Sequence, residues 1–247
     1  MDFSIFAEGQ TWVALLTLVF LEIVLGVDNI IFISIVSNKL PEKDQPKARN
    51  IGLVLALIFR IGLLFGISYL VKLTNPLFTI NLLEFSHGFS GRDLILLGGG
   101  LFLIAKSTSE IGEKIRHIDA EPNLERDVKS PKKISLTSII LQIVMLDIVF
   151  SFDSILTAVG LVDELILMII AVVVAMFVMM VFAGRISRFI EKHPTLQVLA
   201  LSFLILIGVM LVAEGFGTHV PKGYIYFSVA FSLIVEMLNM RVRKSKK

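Results

Sequence analysis

The sequence predicts an all-α membrane protein of seven transmembrane helices, built as two inverted three-helix repeats plus one extra helix, with the N-terminus outside and the C-terminus cytoplasmic. Three observations lead there. Of the 247 residues, 55% are hydrophobic and only 18% charged, a balance too apolar for an ordinary soluble domain. The apolar residues fall in runs long enough to cross a hydrocarbon core about 30 Å thick, which needs roughly 20 residues of helix. Lys and Arg, finally, gather in alternate connections between those runs.

The runs cover residues 11 to 36, 51 to 72, 93 to 109, 135 to 160, 165 to 184, 197 to 214 and 223 to 240. In the third, the charge-free stretch from 94 to 105 is short and carries Gly98, Gly99 and Gly100, so this span is expected to be short or irregular. Met1 is followed by Asp2 rather than a basic segment, and the first run contains acids, so the first span is expected to stay in the mature chain. The connections 37 to 50, 106 to 134 and 185 to 196, with the tail from 241, hold 19 of the 23 basic residues. The other connections hold 3, and Arg60 lies inside the second run. Cytoplasmic loops carry the excess of Lys and Arg, which sets the orientation. Residues 107 to 134, with six acids and six bases, read as a mobile cytoplasmic connector.

A repeat lies inside the chain. Leu21-Glu22-Ile23-Val24-Leu25-Gly26-Val27-Asp28-Asn29-Ile30 stands 125 positions before Leu146-Asp147-Ile148-Val149-Phe150-Ser151-Phe152-Asp153-Ser154-Ile155, and acid matches acid twice. A weaker echo aligns Gly100 to Lys106 with Gly208 to Glu214. The chain thus reads as a single transmembrane domain: repeat 1 at 11 to 109, the connector at 107 to 134, repeat 2 at 135 to 216 and the extra helix at 223 to 240. A three-span unit enters the membrane from opposite sides in its two copies, and transporters of that kind place their substrate site near the midplane between the copies.

In an ideal helix a six-residue offset is about 9 Å of rise and about 240° of turn, so Glu22 and Asp28 would not face one direction. Either the helices are interrupted at Gly26 and Ser151, or the two carboxylates of each span serve different layers of a pathway. Irregular backbone at membrane depth is tolerated only along a cavity. Four buried acids against Arg60 leave about three uncompensated charges, each costing a few to more than ten kcal/mol at the bilayer centre. They are expected to be protonated or to hold a cation. Glu22, Asp28, Asn29, Asp147, Asp153 and Ser154 offer only oxygen, which suits Mg²⁺, Ca²⁺ or Mn²⁺. Arg60, Glu214 and Glu236 are accessory candidates, Arg60 also as a structural counter-ion and the two glutamates as helix-end or snorkelling charges. Lys106 reads as an interfacial anchor. His87 and His219 read as ordinary loop residues.

Other chemistries recede. With no cysteine, disulfides, thiolate metal sites, iron–sulfur clusters and a cysteine nucleophile are excluded. A net charge of +2 without a basic face leaves nucleic acid an unlikely partner. No prosthetic group is expected and no enzymatic activity. An intramembrane aspartyl protease using Asp28 and Asp153 is the enzymatic alternative, but the Gly-x-Gly-Asp signature is missing and two doublets exceed its need.

The two acidic segments, together with Gly91-Arg92-Asp93-Leu94-Ile95-Leu96-Leu97-Gly98 and His219-Val220-Pro221-Lys222-Gly223-Tyr224-Ile225-Tyr226, resemble the bacterial TerC family from about residue 11 to 243. The chain looks like the short inner-membrane members, without the cytoplasmic CBS-type domains of longer relatives. The resemblance implies a seven-helix protein of the LysE-like transporter superfamily that exports divalent metal, chiefly Mn²⁺, from the plasma membrane. It also implies that the family's acidic motif falls on Glu22, Asp28 and Asn29 and on Asp147, Asp153 and Ser154. Some relatives are tied to metal supply for secreted proteins, which makes the secretion translocon a candidate partner beside the lipid bilayer and the metal ion.

Overall fold

The computed structural model describes residues 7–66, 72–82, 85–119, 135–159, 162, 164–218 and 220–245. The side chains of Asp28 and Asp153 lie outside the described residues, as do His219 and the connector from 120 to 134. Seven helices stand among the described residues: α1 (Gly9–Ser37), α2 (Gln45–Phe65), α3 (Gly91–Asp119), α4 (Leu136–Val159), α5 (Leu165–Glu191), α6 (Pro194–Gly215) and α7 (Lys222–Ser245). Six are long and apolar enough to cross a membrane, and α4 contains a shorter apolar stretch, Leu136–Phe152. The seven expected runs thus each coincide with a helix.

Three expectations are corrected. The third span is neither short nor irregular: α3 is 29 residues long and runs through Gly98, Gly99 and Gly100. Its helix takes in residues 107 to 119, the first half of the segment expected to be a mobile connector, and the i,i+4 pair of Lys106 with Glu110 supports it where the apolar run ends. The connection between α2 and α3 is also not merely a loop. It carries an antiparallel hairpin, β1 (Pro76–Leu82) and β2 (Phe85–Ser90), where aromatic and β-branched residues such as Phe78, Thr79 and Ile80 suit a pleated ribbon.

The helix ends follow local chemistry. At the start of α3, Ser90 Oγ accepts the Asp93 N–H at 3.2 Å, while Asp93 Oδ2 accepts the Ser90 N–H at 2.8 Å and its hydroxyl at 2.7 Å. This reciprocal cap satisfies donors that the first turn leaves open. At the end of α6, Thr218 N–H reaches Ala213 O at 3.0 Å and Gly217 N–H reaches Glu214 O at 2.9 Å. That closure needs a left-handed residue, supplied by Gly217 at φ 83°.

The chain divides into two compact units. The first holds residues 1–75 and 134–189, with α1, α2, α4 and nearly all of α5. Its contacts fix helix directions. Arg60 meets Glu22 and Arg49 meets Ser37, so α1 and α2 run antiparallel. Gly52 lies against Ile143 and Arg60 against Asp147, so α2 and α4 run the same way. It follows that α1 and α4 are antiparallel. Phe32, Leu53, Ile143, Leu146, Phe152 and Met176 are fully buried among these helices. Leu16, Phe20, Ile58, Leu141 and Phe177 are exposed, as a helix surface bathed in lipid requires.

The second unit holds residues 76–133 and 190–247. Its main packing is α3 on α6. A Cβ on Gly100 would stand 2.6 Å from the Gly208 carbonyl oxygen, and one on Gly208 would stand 2.9 Å from that of Gly100. Small residues let membrane helices approach backbone to backbone, where lipid supplies no hydrophobic drive for association. Gly98, by contrast, faces open space. Phe89 of the hairpin stacks on Phe78 and meets Phe216 edge-on, tying the ribbon to the end of α6.

Candidate cation site

Three helices of the first unit bring polar groups together at its centre. Glu22 comes from α1, Arg60 from α2 and Asp147 from α4, and they are only 5%, 3% and 3% exposed. Each sits in a predominantly apolar run, so helix formation carries it to membrane depth. The guanidinium of Arg60 joins the two carboxylates. Nη1 donates to Glu22 Oε2 at 2.6 Å, Nη2 donates to Asp147 Oδ1 at 2.7 Å, and Nε donates to both Asp147 oxygens at 3.0 and 3.2 Å. Ser151 Oγ adds a hydrogen bond to Asp147 Oδ2 at 3.0 Å. Asn29 Nδ2 donates to Asp147 Oδ1 at 3.3 Å.

The arrangement gathers Glu22, Asn29, Arg60 and Asp147 from the expected set and adds Ser151. Ser154 is buried on α4, with its hydroxyl donated to the Ser151 carbonyl at 3.3 Å. Asp28 and Asp153 occupy α1 and α4, each one residue before Asn29 and Ser154. Both α1 and α4 run unbroken through Gly26 and Ser151, which removes the option of interrupted helices. Gly26 instead admits α5, since a Cβ there would overlap the Met179 sulfur, and Ser151 uses its hydroxyl on Asp147 rather than loosening the backbone. In unbroken helices the two backbone positions of each doublet stand about 9 Å apart along the axis.

With both carboxylates ionised, the triad carries a net charge of −1. One Asn29 atom stands out. Its Oδ1 is buried, in a residue 2% exposed, and meets no hydrogen-bond partner among the described residues, although a buried, unsatisfied acceptor costs about 1–3 kcal/mol. Among the described residues, no three His, Asp or Glu side chains gather closely enough to hold a metal by themselves. Any cation seated here would therefore need Asn29, backbone oxygens, water or the second acid of a doublet as well.

Of the accessory candidates, Arg60 is part of this group, while Glu214 and Glu236 belong to the second unit. Glu214 belongs to the second unit and is buried rather than snorkelling, 3.9 Å from Arg92. Glu236 is half-buried on α7 and accepts from Asn239 Nδ2 at 3.4 Å. Lys106 pairs with the buried Glu110 at 2.8 Å, one turn along α3. His87 lies on β2, edge-on to Phe89 and 3.7 Å from Asp93.

Sequence reasoning missed a second polar cluster in the first unit. Arg49 Nη1 donates to Ser187 Oγ at 3.2 Å, and Ser187 Oγ donates to Asn38 Oδ1 at 3.0 Å. Arg49 lies before the second apolar run and reads as one more loop cation; only the fold shows that it is buried.

Comparison with known proteins gives a consistent picture. Residues 7–247 match the integral membrane protein TerC family. A UPF0053 protein of Haemophilus influenzae is 49% identical over 245 residues, covering 99% of this chain and 100% of the relative. The UPF0053 inner membrane protein YgdQ of Escherichia coli K12 is 50% identical over 246 residues, covering 100% and 99%. The longer UPF0053 inner membrane protein YoaE of the same strain is 50% identical over 238 residues, but this chain spans only 44% of it. No solved structure matches.

Proposed function

We propose that this chain, which belongs to the TerC family of integral membrane proteins, is a carrier that exports a divalent cation, chiefly Mn²⁺, across the inner membrane. It is a multi-pass inner membrane protein, with six long apolar helices and close relatives named for that membrane. The observation that carries the proposal is the buried group around Asp147. Two carboxylates from antiparallel helices meet around one guanidinium, which with both ionised leaves a net negative charge, beside an amide oxygen that meets no donor among the described residues.

Purely structural ion pairing would be expected to balance its charges. Here Glu22 and Asp147 already outnumber Arg60. Anions at this depth are costly, and a divalent ion turns their mutual repulsion into attraction. The all-oxygen donor set favours hard cations such as Mn²⁺, Mg²⁺ or Ca²⁺. In the mechanism we favour, the site opens inward, takes the ion, and rocks to face out, after which protons neutralise the emptied acids on the return. Buried carboxylates that lose their cation need such a charge substitute.

The test is total cellular Mn, Mg, Ca and Zn under manganese load, in cells with the protein, without it, and with Asp28→Asn or Asp153→Asn. Export predicts lower Mn only with the unmodified chain; equal metal content in all strains would refute it. Proton coupling is tested separately in proteoliposomes, where an imposed pH gradient should change the Mn²⁺ flux, and indifference to the gradient would exclude it.

A further inference from the structure

We infer that Arg60 is a resident counter-ion which the transported cation has to displace, and that it links two carboxylate layers along the ion's path. This rests on the carrier reading above and describes how that same site is regulated.

The layers follow from helix register. Antiparallel α1 and α4 are level where Asn29 touches Asp147. Stepping back seven residues on α1 reaches Glu22, and stepping forward seven on α4 reaches Ser154, roughly 10 Å along the axis in each case. One level therefore holds the backbone positions of Asp28, Asn29 and Asp147, and the other those of Glu22, Asp153 and Ser154. The two backbone positions of each doublet thus fall at different levels. Arg60 is bonded to Asp147 of the first level and Glu22 of the second.

A guanidinium keeps its charge at any physiological pH. It cannot be neutralised in place, so it can only be outcompeted. A monovalent ion offers Asp147 no more charge than the guanidinium does, and it lacks the forked geometry that matches a carboxylate. A divalent ion offers twice the charge. Arg60 thus discriminates by valence before ligand geometry matters. Asn29 Oδ1 supports the same role: in a residue bonded to Asp147, it has no partner among the described residues, and it would gain one from a cation that replaces the guanidinium. The contacts are also unequal, with one bond to Glu22 and a forked set to Asp147. Release of Glu22 gives up fewer bonds, so the Glu22 level opens first.

The test titrates Mn²⁺ into the purified full-length chain and into the variants R60Q, R60K, E22Q and E22Q/R60Q. Thermal melts with and without Mn²⁺ accompany each titration. R60Q should bind Mn²⁺ at least tenfold more tightly than the unmodified chain and show the larger Mn²⁺-induced rise in Tm, while R60K stays near the unmodified value. E22Q/R60Q should bind more tightly than E22Q, a comparison that stands even if R60Q alone does not fold. Sodium should compete with Mn²⁺ in R60Q and not in the unmodified chain. Equal or weaker Mn²⁺ binding by folded R60Q, or E22Q/R60Q no tighter than E22Q, would overturn the displacement role while leaving the carrier reading intact. An unmodified chain that neither binds nor moves Mn²⁺ would overturn both.

Discussion

The two units solve the problem of joining helices in oil by opposite means. In one, α1, α2 and α4 converge on charged side chains, with Arg60 between Glu22 and Asp147. In the other, α3 and α6 meet through the bare backbones of Gly100 and Gly208. The glycine contact is apolar, close and stable without any ligand. The charged contact is strong only while every partner is present, and the proposed function makes it the place where a cation would act. A membrane protein that needed only to hold together could have used glycine in both places. The proposed function places the working part of the molecule in the unit that retains charge.

That contrast can be broken at graded cost. The largest effect is expected from Arg60→Leu, which strands two buried carboxylates. Removing one partner of a buried ion pair costs about 3–5 kcal/mol, so the variant should melt far below the unmodified chain, and added Mn²⁺ should restore part of the loss. Next comes Gly100→Leu, which forces side-chain carbons onto the Gly208 carbonyl. Overpacking of this kind costs about 1–3 kcal/mol and should lower Tm while leaving Mn²⁺ affinity per folded molecule unchanged. A fall in affinity as large as that from Asp147→Asn would erase the distinction between the units.

Smaller changes sharpen it. Ser90→Ala removes the cap of α3 and should cost about 1 kcal/mol, seen as a modest loss of Tm. Phe231→Leu on α7 breaks the stack with Phe227, whose ring centroid lies 6.2 Å away, and an aromatic pair contributes about 0.5–1.5 kcal/mol. Its effect should fall at the low end, because both rings are exposed, and transport should be untouched.

Much of this was legible in the sequence, and the rest was not for definite reasons. Helix positions could be read because lipid demands long apolar runs. The polar end of α3 could not, since residues 107 to 119 lose the apolar signal while keeping the helix. The hairpin was hidden because strands of six or seven residues bearing Ser, Gly and His resemble any loop. Within the site, Glu22, Asp147 and Arg60 were visible as charges at membrane depth, but counting charges does not say which pair. That Arg60 would reach two acids depends on the directions of α1, α2 and α4, which no local pattern encodes. Gly26 misled because a glycine between two acids suggests a break, whereas it makes room for Met179.

The most direct test of the central claim is Mn²⁺ flux into sealed proteoliposomes containing the unmodified chain, Asp147→Asn, or Gly100→Ala as a control from the other unit. The account predicts flux for the unmodified chain, near-background flux for Asp147→Asn, and flux by Gly100→Ala in proportion to the protein that folds. Flux unaffected by Asp147→Asn would contradict it.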